Sequence, residues 1–356
     1  MISKTCRKTI AIILTLAMAM TCLCGCGDDG AKQAQSDQPA GTIIEETDDA
    51  MIIVDQAGRE VTVNRDIDSI ALCYRVAIRF LLSLDQGDKI TGIGKSEAFL
   101  EELQPSLADC TDVGKGVVDI EAMAELAPDL FVHKASDVEG LEAVEKIGIP
   151  AIGIEIETPD DMVTCLDLLG KVCGQQEKAQ QLIDYYNRQI DEAEKLISGI
   201  KDGDRKTAIV MGTSIGKVAD GTMLQGEMLE RAGAINCAAD LEATELWPTA
   251  GAEQIFEWNP DYIFITGSES AVYGVEDLYH DKSWSEMKAI KNKHVYVIPA
   301  TEDSWEFPGV GSVLGIDFMM KTMYPELISD EQLKKNVDDF YELSYGRTFE
   351  RDELGY

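Results

Sequence analysis

Apolar and polar positions change their period several times along this chain, and each change marks an element. From Met51 to Val63 the residues alternate on either side of an Ala57-Gly58 turn, the period-two signature of a hairpin. From Ser69 onward short apolar runs alternate with amphipathic stretches. Ile70 to Cys73, Ile90 to Ile93, Leu130 to Val132 and Ala151 to Ile154 read as buried strands with helices between them, which predicts a parallel sheet covered by helices. The period then lengthens. Leu182, Ile183, Tyr186, Ile190, Ala193 and Ile197 recur at spacings of three and four within a helical stretch from about Pro159 to Ile200. Gly170 and Gly174 are expected to split it into two helices, and its dense polar face leaves it at least half exposed. Beyond Asp204 strands resume at Thr207 to Met211, Tyr262 to Thr266 and Val295 to Ile298. A closing helix runs from about Val313 to Met323 and stops at Tyr324-Pro325.

One pattern occurs twice. Ile120 to Val132 lines up with Ala252 to Phe264, each a helix, a Pro-Asp turn and a strand, with Glu121 matching Glu253, Glu125 matching Glu257, and Pro128-Asp129 matching Pro260-Asp261. Two copies mark two related lobes and not a solenoid. Roughly 300 residues follow position 50, more than one core comfortably holds, so two Rossmann-like α/β lobes are expected.

The first residues change the setting. Lys4, Arg7 and Lys8 precede an apolar run from Ile10 to Met20 and then Leu23-Cys24-Gly25-Cys26, an export signal that resembles the bacterial lipoprotein box with Cys26 as the lipidated residue. The resemblance implies removal of residues 1–25, a lipid on Cys26 and a mature chain held on the outer side of the cell membrane. Residues 26–50 are polar and small, and are expected to form a flexible spacer. With a formal charge of −34, the chain has no basic stripe for nucleic acid. Cys73, Cys110, Cys165, Cys173 and Cys237 are odd in number and scattered, neither a disulfide framework nor a zinc pattern.

Taken together, the body resembles the substrate-binding proteins of ABC importers for iron-siderophore complexes, haem and cobalamin. The similarity rests on Asp55 to Val63, Ile90-Thr-Gly-Ile-Gly94, the two Glu-to-Pro-Asp segments, Glu286 to Val297, and Leu314-Gly-Ile to Tyr324-Pro-Glu326. Asn64 stands where that family often has proline. The resemblance implies an N-terminal lobe at 51–174, a single joining helix at 175–201 and a C-terminal lobe at 202–356, with the ligand between the lobes and little closure. It further implies a monomer that is not an enzyme and has no cofactor of its own, although its ligand carries iron or cobalt. That ligand is a metal chelate or tetrapyrrole, with an iron-siderophore complex first and haem or cobalamin as the alternative. The partner is an ABC permease, and the resemblance assigns Glu121 and Glu253 to docking on it.

Ligands of open α/β sheets collect at the carboxyl ends of strands, which directs attention to the loops that follow them. Tyr74 and Arg75 follow one strand, Lys95 another and His133 a third, while Trp247, Trp305 and Phe307 lie in loops of the second lobe. Arg75 and Lys95 suit carboxylate, phosphate or phenolate groups, or are solvated surface charges. Trp247 and Trp305 offer broad apolar faces to a macrocycle or catechol, or fill a lobe core. His133 and Tyr74 have the donor atoms to ligate haem iron, or bond their neighbours. No nucleophile elbow, phosphate-binding loop or paired-histidine helix is present, which sets an enzyme behind a binding protein, with a surface adhesin or signalling module as the other class.

Overall fold

The structure, a computed structural model, describes residues 35–241, 246–268, 270–301 and 303–356. The leader and the candidate lipidation at Cys26 lie outside the described residues. The opening hairpin forms and gains a third strand: β1 (Ile43–Glu46), β2 (Ala50–Val54) and β3 (Glu60–Asn64) make an antiparallel sheet in that order. This corrects the expected spacer, because Ile43 to Glu46 is a strand. Pairing with β2 satisfies its backbone, which polar composition alone does not reveal. The Arg59 guanidinium reaches Asp55 Oδ2 at 2.6 Å, and the Gly153 amide donates to the same oxygen at 2.9 Å, so the hairpin is tied to the body.

The next units are β4 (Ile70–Leu72), α1 (Ala77–Ser83), β5 (Ile90–Ile93), α2 (Ala98–Leu103), β6 (Thr111–Asp112) and α3 (Ile120–Leu126). They continue through β7 (Leu130–Lys134), α4 (Val138–Lys146), β8 (Ala151–Ile154) and α5 (Pro159–Val172). The strands form one parallel sheet in the order β6-β5-β4-β7-β8. Helix α6 (Gln176–Ile197) then leads to the second lobe, which holds β9 (Thr207–Met211), α7 (Leu224–Arg231), β10 (Ile235–Asn236), α8 (Ala252–Trp258) and β11 (Tyr262–Ile265). After them come α9 (Val275–His280), α10 (Lys288–Lys291) and β12 (Val295–Val297). Its sheet is parallel, in the order β10-β9-β11-β12. The chain closes with α11 (Ser312–Met323), α12 (Asp330–Tyr345) and α13 (Arg351–Leu354).

The apolar strand runs are uniform because both faces of each sheet are covered. Ile70, Leu72, Leu130 and Val132 join the large core that continues through α6 and α11, whereas Ala71, Cys73 and Phe131 join a smaller one on the outer face. The second sheet divides alike, with Ala208, Val210 and Phe264 inward and Ile209, Met211, Ile263 and Ile265 outward.

The long helical stretch breaks where the sequence predicts. Gly174 takes φ +68°, a conformation that ends α5, and Gly170 lets α6 approach so closely that a Cβ there would stand 2.5 Å from the Ala179 side chain. Helix α12 has no counterpart in the sequence reading. Capped by Ser329, whose hydroxyl accepts from the Gln332 amide at 3.1 Å, it returns from the second lobe to pack on α1 and α6. Phe99 of the first lobe meets the rings of Tyr341, Tyr345 and Phe349 with centroids 6.3, 6.3 and 5.6 Å away. The junction between lobes is therefore doubled. Among the described residues no helix is long and apolar enough to cross a membrane.

Candidate functional site

In each sheet the chain starts at an interior strand and builds outward to both sides, which opens a crevice at the carboxyl ends beside that strand. In the first lobe this strand is β4, in the second β9. The loops leaving these ends meet across a cleft of about 410 Å³. The first lobe contributes Arg75 and Arg79 after β4, and Lys95, Ser96, Glu97 and Glu101 after β5. Facing them are Gly267, Ser268 and Ser270 after β11, Thr301 after β12, and then Ser304 and Phe307.

Three of the expected ligand residues come together here: Arg75, Lys95 and Phe307. Arg75 pairs with Glu97, and Phe307 lies beneath two guanidinium groups, those of Arg75 at 5.8 Å and Arg79 at 5.5 Å from its ring centre. Tyr74 turns the other way. Its hydroxyl donates to Glu157 at 3.5 Å and the Lys134 ammonium stands 5.2 Å over its ring, outside the cleft lining.

His133 and Trp305 need correction as ligand contacts. His133 shares the outer face of β7 with Phe131, is fully buried, sits 2.9 Å from Asp137 Oδ2 through Nε2, and packs 5.4 Å from the Phe131 ring. Burial lowers its pKa, so the ring is held neutral inside the lobe. Trp305 is also fully buried, and its indole N–H donates to the Tyr341 hydroxyl at 3.0 Å. That donor has found a partner in the core and the ring presents no face to a ligand. Trp247 is half-buried at φ +59°, with its ring against Gly212, where a Cβ would lie 2.7 Å away. It does not line the cleft. Glu121 and Glu253 are exposed at the starts of α3 and α8, one on each lobe.

The deepest part of the cleft was missed by sequence reasoning. Arg79 is buried on α1, its Nε donating to Asp303 Oδ1 at 3.0 Å and its Nη2 to Glu97 Oε2 at 2.6 Å. Asp303 also accepts from the Tyr341 hydroxyl at 3.2 Å. Burial raises the Asp303 pKa, and the neighbouring Arg79 opposes that rise. The signal was present, since Arg79 is the lone charge in the apolar run Val76-Ala-Ile-Arg-Phe-Leu-Leu82 and a cation in a wholly buried helix requires a buried partner. Glu306 supports the opposite wall. Its Oε1 accepts from the Thr266 hydroxyl and, at 3.0 Å, from the Gly267 amide, which fixes the loop that carries Gly267 and Ser268. Among the described residues no cluster of His, Cys, Asp and Glu could hold a metal ion directly.

Comparison with known proteins decides the family. The model for periplasmic binding proteins matches residues 70–302, which is well over half of the chain and takes in both lobes. The chain belongs to the periplasmic binding protein family. This periplasmic binding protein is similar to the molybdate-binding protein MolA of Haemophilus influenzae, 25% identical over 334 residues that cover 85% of this chain and 92% of the relative. It is also similar to the iron(3+)-hydroxamate-binding protein YxeB of Bacillus subtilis, 23% identical over 223 residues, with 60% and 68% covered. Among solved structures, a periplasmic solute binding protein from Veillonella parvula shares the fold, with a TM-score of 0.76 at 24% identity over 86% of this chain and 96% of that one. The two lobes and the cleft between them are thus the framework of a substrate-binding component of an ABC importer.

Proposed function

We propose that this cleft captures an anionic metal species, either a metal oxyanion or a compact anionic chelate of the iron-siderophore kind, and carries it to an ABC permease outside the cytoplasm. The observation that carries the reading is the composition of the cleft wall. In a chain of formal charge −34, Arg75, Arg79 and Lys95 gather at one place, with Glu97 and Glu101 among them, opposite Gly267 and the hydroxyls of Ser268 and Ser270. Among the described residues of the wall only Phe307 offers an aromatic face beside the buried Phe99, while Trp247 and Trp305 stand outside it. Haem and cobalamin need broad apolar walls, so they recede behind smaller, more polar ligands. The printed name of the molybdate-binding relative agrees with the oxyanion arm of this class. Within the same reading Cys26 carries the lipid anchor, and Glu121 and Glu253, one at the top of each lobe, meet cations on the permease.

Calorimetry on the purified mature protein tests the ligand class with molybdate, tungstate, ferric hydroxamate, ferric catecholate, haem and cobalamin as probes. At least one anionic metal species is expected to bind, and Arg75→Ala to weaken it by roughly 10- to 100-fold, the worth of a charge-assisted hydrogen bond. Binding of haem or cobalamin alone would overturn the reading.

A further inference from the structure

Glu97 is one of two carboxylates, with Glu101, in the cleft wall that holds Arg75, Arg79 and Lys95, and it is the one that engages two of those cations. One oxygen takes Arg75, the other takes Arg79 at 2.6 Å, and the side chain itself lines the cavity. We propose that Glu97 is a built-in competitor for the ligand's negative group: it holds Arg75 until an anion of sufficient charge takes that guanidinium from it, and so sets which anions the cleft accepts. The inference rests on the reading of the ligand as anionic.

The two limbs of this clamp differ in strength. Arg79 is 7% exposed and is held a second time by Asp303 at 3.0 Å, so releasing it would leave a bare charge in the protein interior. Arg75 is 45% exposed, and an ion pair in that setting contributes little, because water and salt replace it readily. Glu97 therefore stays on Arg79 when Arg75 departs, and the exchange buries no unpaired charge. Phe307 lies under both guanidinium groups, giving each an aromatic platform beside the cavity. After the exchange the ligand's anionic group shares the neighbourhood with the Glu97 carboxylate, and with Glu101 in the same wall, and that repulsion must be outweighed by Arg75 and Lys95 together. A multiply charged oxyanion or chelate meets the condition. A weakly charged anion does not, and Glu97 thereby raises the threshold for entry at the expense of affinity.

The test compares wild type, Glu97→Gln, Arg75→Ala and the double variant by calorimetry with molybdate, ferric tris-catecholate and perrhenate, a singly charged tetrahedral oxyanion, alongside modification of Arg75 by phenylglyoxal read by peptide mass spectrometry. Glu97→Gln is expected to tighten the bound metal species by roughly tenfold, to admit perrhenate, and to raise Arg75 modification severalfold, with the gain in affinity shrinking to the smaller part due to direct repulsion when Arg75 is already alanine. Unchanged or weaker binding in Glu97→Gln, while wild type binds its anion, would overturn the competitor role and leave the ligand class standing. An equal gain in the Arg75→Ala background would reduce Glu97 to a bulk charge and also overturn it. Should wild type bind no anion, the ligand class fails, and unchanged Arg75 reactivity in Glu97→Gln would then reject the clamp by itself. If Glu97→Gln does not fold, Glu97→Asp decides, since its shorter arm keeps charge beside Arg79 but should free Arg75 to the reagent.

Discussion

A carboxyl buried away from any cation keeps its proton to a higher pH than one in water, and Glu306 and Asp317 are two such groups. Burial lifts each to about 7, against partial relief from Thr266 and Gly267 for Glu306 and from Asn336 for Asp317. Between the ordinary carboxyl range and about pH 7 the folded protein binds more protons here than the unfolded chain, so this stabilisation is complete at the acid end and is lost as pH rises toward 7. Asp129 and Asp261 act in the opposite sense. Hydrogen bonds lower their pKa values, and their contribution disappears only when acid protonates them. The urea midpoint is therefore expected to rise from pH 8 to about pH 5 and to fall again below about pH 4. Glu306→Gln and Asp317→Asn should flatten the rise, each removing a dependence on the order of 3 kcal/mol. A midpoint independent of pH across this range would contradict the burial argument. Trp305 gives a contrasting case. Trp305→Ala is expected to lower stability by about 3–5 kcal/mol through the cavity it leaves, yet to change ligand affinity far less than Arg75→Ala, as chemical denaturation and calorimetry on the two variants would establish. The sequence places Trp305 near the cleft, but only tertiary packing says that the ring turns away from it.

The duplicated segment shows what can be learned from pattern at the level of elements. Both copies end their helix on a left-handed residue, Ala127 at φ 46° and Asn259 at φ 45°, and both continue through Pro-Asp into a central strand. The structure adds the reason for the aspartate. Asp129 Oδ2 accepts from the Ser69 amide at 2.9 Å and from its hydroxyl at 2.8 Å, while the Asp129 amide donates to the Ser69 carbonyl at 3.0 Å. Asp261 repeats the arrangement on Thr207, at 3.1, 2.9 and 2.9 Å. Each Asp thus latches its strand to the start of the neighbouring one and sets their register, which predicts matched losses for Asp129→Ala and Asp261→Ala of roughly 1–3 kcal/mol in equilibrium unfolding. A loss at one site only would show that the latch does not bear equally on the two lobes. Buried strands, the hairpin and the α5–α6 break were legible because period and glycine placement are local properties. The strand β1 and the return of α12 were not, because each depends on a partner distant in sequence. The same holds for Arg79: its isolation in an apolar helix was visible, but not that Glu97 and Asp303 would be its partners.

At the scale of the whole molecule the lobes are held by α6, by α12 against α1 and Phe99, and by the Arg79–Asp303 pair at the floor of the cleft. Removing one member of a buried pair strands the other, so Arg79→Met is expected to cost about 3–5 kcal/mol, and Arg79→Met with Asp303→Leu to recover a large part of it. Denaturation of the three variants would check this, and additive losses would count against a coupled pair. The doubled junction also predicts a radius of gyration, measured by solution scattering, that hardly changes on ligand binding. Glu121 and Glu253 stand exposed one on each lobe, and alanine at both is expected to leave ligand affinity intact while abolishing uptake and slowing permease association at low salt. Uptake at the wild-type rate would remove them from docking. The stiffness of the junction has a consequence for traffic at the membrane. If Glu121 and Glu253 dock on the permease, a carrier whose outline is nearly the same empty and full would show it the same pair of charges in both states, and a ligand can bias docking only by as much as it distinguishes those states. Empty carriers then compete with loaded ones for the same entrance, so producing more of this protein than the ligand supply can fill should slow import.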